Sequence, residues 1–199
     1  VLDYTKDLYD AGQSGKPGTR KYAAFAEKAV VTEKGEIVLF FLICDITEDP
    51  TWSHFQIPTY IISKDGGHTW SEPFELCSQR SRVYDAKYHN GEIFVLNFIN
   101  ENDVSFLGNK EEDVYELYVS KDGGRTFRKR SLLPFDTMGK SYGTMGILES
   151  GGIVAYIYNV NDEFNSDYVV SMDGGYSWSE VKTAHFSKKI RNQQMSSLN

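Results

Sequence analysis

Cysteine, basic charge and long apolar runs are all scarce in this chain. Two cysteines among 199 residues cannot build the disulfide framework on which small secreted domains depend. Cys44 and Cys77 either pair with each other or stay as thiols, with Cys44 buried in its apolar run. Their spacing decides neither, so the redox compartment is not legible. Lysine and arginine number 21 against 28 acidic residues, a formal charge of −7, which excludes the clustered basic surface that nucleic acid selects. The longest unbroken apolar run, Ile37 to Cys44, is far shorter than the roughly 18 residues a membrane helix needs. Asp3, Asp7 and Asp10 interrupt the N-terminus, so no secretory leader is read there. A start at Val1 rather than Met is what a processed or trimmed chain shows. His54, His68, His89 and His185 share no metal-ligand spacing. Asn100-Glu101-Asn102-Asp103 lacks the ordered ligand alternation of a calcium loop. No phosphate-binding glycine loop and no recognisable Ser-His-Asp signature is present. Neither a metal nor a cofactor is expected.

What the chain has in plenty is aromatic and β-branched residues: 40% of it is hydrophobic and 14% aromatic, which excludes disorder. The length suits one domain or part of a larger one. Its organisation lies in a repeat. Ser63-Lys64-Asp65-Gly66-Gly67-His68-Thr69-Trp70 recurs as Ser120-Lys121-Asp122-Gly123-Gly124-Arg125-Thr126-Phe127 and as Ser171-Met172-Asp173-Gly174-Gly175-Tyr176-Ser177-Trp178. The aspartates are 57 and 51 residues apart (122 − 65 and 173 − 122), a period that suits a unit of four short strands. An alternating segment precedes each octet (Tyr60-Ile61-Ile62, Leu117-Tyr118-Val119, Tyr168-Val169-Val170). A short extended segment follows, such as Trp70–Pro73 or Trp178–Val181, so each octet is the turn of a hairpin. The aspartate can accept backbone N–H bonds there, and the glycines supply positive φ.

A second hairpin precedes each octet, turning at Glu33-Lys34-Gly35, His89-Asn90-Gly91 and Glu149–Gly152. The runs that follow, Ile37–Ile43, Ile93–Ile99 and Ile153–Tyr158, are almost continuously apolar and read as strands buried on both faces. With the four strands of a repeat lettered A to D, the first hairpin is A–B and the octet is the C–D turn. No segment reads as a long helix.

The octet pattern Ser/Thr-x-Asp-x-Gly-x-Thr/Ser-Trp/Phe resembles that of sialidases and other Asp-box β-propellers. The resemblance implies an all-β fold of four-stranded antiparallel blades, six in a complete sialidase-like ring. Here it covers blades at about 21–76, 77–134 and 135–186, and the first strand of a fourth at 187–199. It makes Ser63, Asp65, Gly67, Trp70, Ser120, Asp122, Gly124, Phe127, Ser171, Asp173, Gly175 and Trp178 structural, at the blade periphery. It also implies a carbohydrate ligand, sialylated or otherwise acidic, and an extracellular or periplasmic setting.

Residues 188–199 align with strand A of the second repeat, Arg191 on Arg82, Met195 on Ala86 and Asn199 on Asn90. Three blades cannot close a ring. The expectation is a fragment of a larger propeller, the rival an open assembly whose ends partner chains cover. The resemblance places the ligand site where strand A enters and the B–C loop leaves, which directs attention to Arg80–Asp85, Lys140–Tyr142 and Lys188–Asn192. Arg82 and Arg191 share a register and are expected to bind an anionic ligand group bidentately; the alternative is a local ion pair, Arg82 with Asp85. Asp85, Tyr142 and Asn192 join them as candidate substrate contacts. Asp45 and Asp49, on the first B–C loop, are the candidate acid/base, with a solvated loop carboxylate as the alternative. A sialidase's Arg-Ile-Pro is missing, since Phe25-Ala26-Glu27 stands in its place. Its Glu-Pro-Gln maps onto Asn192-Gln193-Gln194, putting Asn192 where the tyrosine-activating glutamate belongs. A divergent catalytic set or a non-catalytic glycan- or protein-binding propeller are the two functional expectations.

Overall fold

The computed structural model describes residues 22–45, 55–101 and 107–188. Twelve strands make three four-stranded sheets, each built in chain order. The first holds β1 (Tyr22–Val31), β2 (Ile37–Asp45), β3 (Thr59–Ser63) and β4 (Phe74–Glu75). The second holds β5 (Ser81–His89), β6 (Glu92–Ile99), β7 (Val114–Ser120) and β8 (Arg128–Leu132). The third holds β9 (Lys140–Ile147), β10 (Ile153–Asn159), β11 (Asn165–Ser171) and β12 (Lys182–His185). Neighbouring strands are antiparallel, and the described residues contain no helix. The expected all-β, four-strand architecture is therefore present. The expected strand at 189–199 lies outside the described residues.

The chain forms two compact units, one of residues 22–83 with 100–101, the other of 84–99 with 107–188. In the first unit, β2 is buried on both faces, as its continuous apolar run requires. Leu42 and Cys44 pack with Phe55 on one side; Phe41 and Ile43 pack with Ile61 and Trp70 on the other. No disulfide links the cysteines: Cys44 lies in that core, and Cys77 Sγ sits 3.4 Å from Ser81 Oγ. Burial raises the Cys44 thiol to about 12, with Arg82 opposing and Glu27 reinforcing the rise, so it stays protonated and inert.

The second unit has one continuous core. Leu96, Phe98, Tyr115 and Leu117 of the second sheet meet Met145, Ile153, Ala155 and Ile157 of the third. Here β10 departs from the expectation of two buried faces. Ile153, Ala155 and Ile157 are fully buried against the second sheet, whereas Val154 and Tyr156 on the opposite face are half-exposed. On that face Tyr156 has a cross-strand aromatic neighbour, Tyr168, at 5.5 Å.

The hairpins fall where the repeat places them, and the outer strand shows a further departure. Trp70–Pro73 does not pair along its length, and β4 begins only after Pro73, which has no N–H to give the ladder. Ser71 substitutes for it: its N–H donates to Ile62 O (2.9 Å), and its hydroxyl accepts from Ile62 N (3.0 Å). Ser179 repeats both bonds with Val170, at 2.8 and 3.1 Å. The second octet is followed by Arg128 instead of serine, and β8 starts there directly.

Candidate functional site

The three octets share one network. Ser63 Oγ donates to Asp65 Oδ1 (2.8 Å) and accepts from Gly67 N (2.8 Å). Asp65 in turn accepts from Thr69 N (2.8 Å) and Thr69 Oγ1 (2.6 Å). Ser120, Asp122, Gly124 and Thr126 repeat the set, as do Ser171, Asp173, Gly175 and Ser177. A carboxylate collecting several donors is held ionised. The hydroxyl and amide of Thr69 and the hydroxyl of Ser63 lower Asp65 from 3.8 to about 2. Ser177 and Ser171 lower Asp173 likewise. Burial works against Asp122, but the bonds from Thr126 and Ser120 outweigh it and leave it lowered as well. Each aspartate thus closes its own turn, with both carboxylate oxygens engaged within it.

The aromatic residues ending the octets have different partners. Trp70 Nε1 donates to Gly67 O (3.0 Å) within its own turn, whereas Trp178 Nε1 reaches across to Ser131 Oγ (2.9 Å). Phe127, with no ring N–H, takes the same sequence position. Gly175 is fixed twice, by φ +89 and by Leu117, into which any Cβ would run. Ser131 Oγ donates to Gly175 O (2.6 Å) and Arg130 Nη1 to Gly174 O (2.7 Å). The Arg130 guanidinium also lies 4.6 Å from the Tyr176 ring and forks onto Glu92. Burial raises Glu92, but the bonds and charges of Arg130 and Lys121 prevail and lower it. In this unit the octet turn is a docking point between two sheets.

The strand-entry end looks different. Arg82, at the start of β5, donates from Nε to Glu27 Oε2 (3.1 Å) and from Nη2 to Glu27 Oε1, and its guanidinium lies 5.8 Å from the Phe55 ring. Both side chains of this fork are mostly buried, 15% and 11% exposed. Glu27 reaches it because β1 bulges there: Ala26 pairs with Phe41 and Lys28 with Phe40, leaving Glu27 as the extra residue. The partner of Arg82 is thus a residue that the sequence shows only as part of a missing motif. Asp85 is engaged otherwise. Its Oδ2 accepts from Thr144 Oγ1 (2.8 Å) and Met145 N (2.9 Å), its Oδ1 from Ala86 N (2.9 Å), and Lys87 Nζ stands 3.7 Å away. That carboxylate pins β5 to β9.

Tyr142 belongs to the same neighbourhood as Asp85. It lies on β9 two residues before Thr144, half-buried, with its ring edge-on to Tyr84 at 5.6 Å and 6.4 Å from Tyr158. Tyr84 OH shares a buried hydrogen bond with Ser141 Oγ at 3.1 Å. Beside it Lys140 Nζ is clasped by Asp167 Oδ2 (2.8 Å) and, more loosely, Asp136 Oδ2 (3.7 Å). Sequence reasoning missed Glu27 as the partner of Arg82, whereas Tyr84 and Lys140 fall within the strand-entry segments it singled out. Asp45 ends β2 opposite Tyr22, and its side chain is outside what the structure describes. Asp49, Arg191 and Asn192 lie outside the described residues.

No family model matches this sequence, and no curated protein does. Solved structures match by fold. A Hadza microbial sialidase aligns at TM-score 0.61 and 13% identity, over 86% of this chain and 35% of its own. The intramolecular trans-sialidase of Ruminococcus gnavus aligns at 0.57 and 10%, over 84% of this chain and 55% of its own. A family 117 glycoside hydrolase from Zobellia galactanivorans aligns at 0.53 and 14%, over 85% and 48%. The chain thus has a sialidase-like propeller fold and spans between about a third and about half of these proteins.

Proposed function

We propose that this chain is a portion of an Asp-box propeller of sialidase type that recognises a glycan, with the octets as scaffold and the strand-entry end as ligand face. The carrying observation is the likeness of its fold to sialidases and a glycoside hydrolase, joined to octets whose aspartates are consumed by their own turns. On this reading the blades run 21–76, 77–134 and 135–186, with a fourth beginning at 187–199. The remaining blades or a partner chain complete the ring, and the protein works outside the cytoplasm.

The reaction open to such a site is exo-hydrolysis of sialic acid or a related sugar by a divergent catalytic set, with Asp45 or Asp49 as acid/base and Arg82, Arg191 and Asn192 at the ligand. The second reading, a binding propeller without hydrolysis, is favoured by one feature. The Arg82 fork already holds the Glu27 carboxylate, the group with which a substrate acid would compete. Glycan-array binding by the chain, run beside hydrolysis of a fluorogenic N-acetylneuraminic acid glycoside, separates the two. Binding with turnover supports the enzyme, and binding without turnover supports the module. No binding to any glycan would refute both.

A further inference from the structure

The strand-entry end of the third sheet holds a residue in a backbone state that its type disfavours. Thr144 pairs with Tyr156 and Ser141 with Tyr158, so Tyr142 and Gly143 together oppose Ile157 as a bulge. Tyr142 has φ +49, a left-handed conformation that is an outlier for a bulky residue. The other described non-glycine residue with positive φ is Asn90, whose place before Gly91 in a hairpin turn is the usual one for asparagine. No turn chemistry of that kind excuses Tyr142.

Packing requires glycine at 143, and it seats one side of Tyr142 against the core while leaving the ring partly exposed. A Cβ on Gly143 would come within 2.5 Å of Tyr115 Cε1 and 3.0 Å of Leu96 Cδ2, and Gly143 N donates to Tyr115 OH at 3.0 Å. Glycine or asparagine at 142 would adopt the bulge with less strain. The chain keeps a tyrosine there, half-exposed, with its ring braced by Tyr84 and Tyr158, both themselves buried. A bulge re-aims a side chain, and bulges concentrate beside binding sites. The β10–β11 loop at the same end of the sheet carries Asn161 and Glu163, polar groups that suit sugar hydroxyls, while Asp162 closes its own turn by accepting from Phe164 N (3.2 Å) and Asn165 Nδ2.

We propose that the Tyr142 ring is a stacking platform for the C–H face of a pyranose. The proposal rests on the glycan reading and deepens it. A sugar presents an apolar face and a hydroxyl rim, matching a rigid aromatic surface beside amides and carboxylates.

The test uses the full chain with lactose and 3′-sialyllactose as probes. Ring-¹³C tyrosine spectra contain 13 tyrosine signals, and Tyr142→Phe removes one, which assigns it. On addition of the probe that binds, the Tyr142 signal is expected to shift. Tyr142→Phe should keep the affinity within about twofold, and Tyr142→Asn should lose about tenfold while remaining folded. A bound probe that leaves the Tyr142 signal unmoved overturns the platform and leaves the glycan reading standing. So does a folded Tyr142→Asn variant of unchanged affinity. If neither these probes nor a glycan array gives binding, the reading and the platform fall together. Should Tyr142→Asn not fold, the wild-type shift decides alone.

Discussion

Removing the Asp85 carboxylate should unfasten the second sheet from the third. Its Oδ2 accepts from Met145 N and Thr144 Oγ1 at 2.9 and 2.8 Å, inside a region where Met145 is fully buried. In Asp85→Ala both donors lose their carboxylate acceptor, and the Met145 amide loses it inside the core. A bond to a charged group is worth about 1.5–3 kcal/mol, and orphaning a buried donor costs about 1–3 kcal/mol. Because these overlap, about 3–4 kcal/mol is expected, a fall of roughly 10 °C in Tm for a chain of this size. Asp85→Asn keeps one oxygen for both donors and sets its amide against Ala86 N, so about 1 kcal/mol is expected. Urea titration gives the totals, and hydrogen exchange at the Met145 amide reports the pin itself. A loss below about 1 kcal/mol in Asp85→Ala, with Met145 exchange unchanged, would refute the assignment.

Asp122→Ala should lose about 1–2 kcal/mol by urea titration, since it opens a turn held by Ser120 and Thr126, and should leave glycan affinity unaltered. The octet carboxylates are held below their unfolded values, near 3.8 for aspartate. The part contributed by Asp65 is therefore present above about pH 4 and lost as pH falls through about 2, and Asp65→Asn should flatten that part of the pH–stability curve. A double-mutant cycle on Arg82→Ala and Glu27→Ala should show a coupling of about 1–3 kcal/mol, because either single change strands a mostly buried charge. With the ion pair intact, Arg82→Lys should be less stable than wild type, since a single ammonium cannot reproduce the fork.

The parts of this fold visible in the sequence were the local ones. The octets and the Asn90-Gly91 turn are written in contiguous residues whose φ requirements only glycine and asparagine meet easily. The apolar runs after each first hairpin became β2, β6 and β10. What escaped was decided at a distance. Glu27 meets Arg82 across 55 residues, and only because a bulge turns it there. Asp85 finds Thr144 across 59 residues, although its sequence neighbourhood offered Arg82 as the natural partner. The half-exposed face of β10 could not be seen in a run that is apolar at nearly every position. Tyr142 was picked out for its position at a strand entrance. Its left-handed backbone has no counterpart in residue type, since nothing about tyrosine announces it.

Hydrogen–deuterium exchange of the chain with and without a glycan that binds it puts the central claim to the most direct test. With the ligand at the strand-entry end, slowed exchange is predicted at residues 84–85 and 140–144. The octets at 63–70, 120–127 and 171–178 should be untouched. Protection confined to the octets, with the strand entrances exchanging as before, would contradict it.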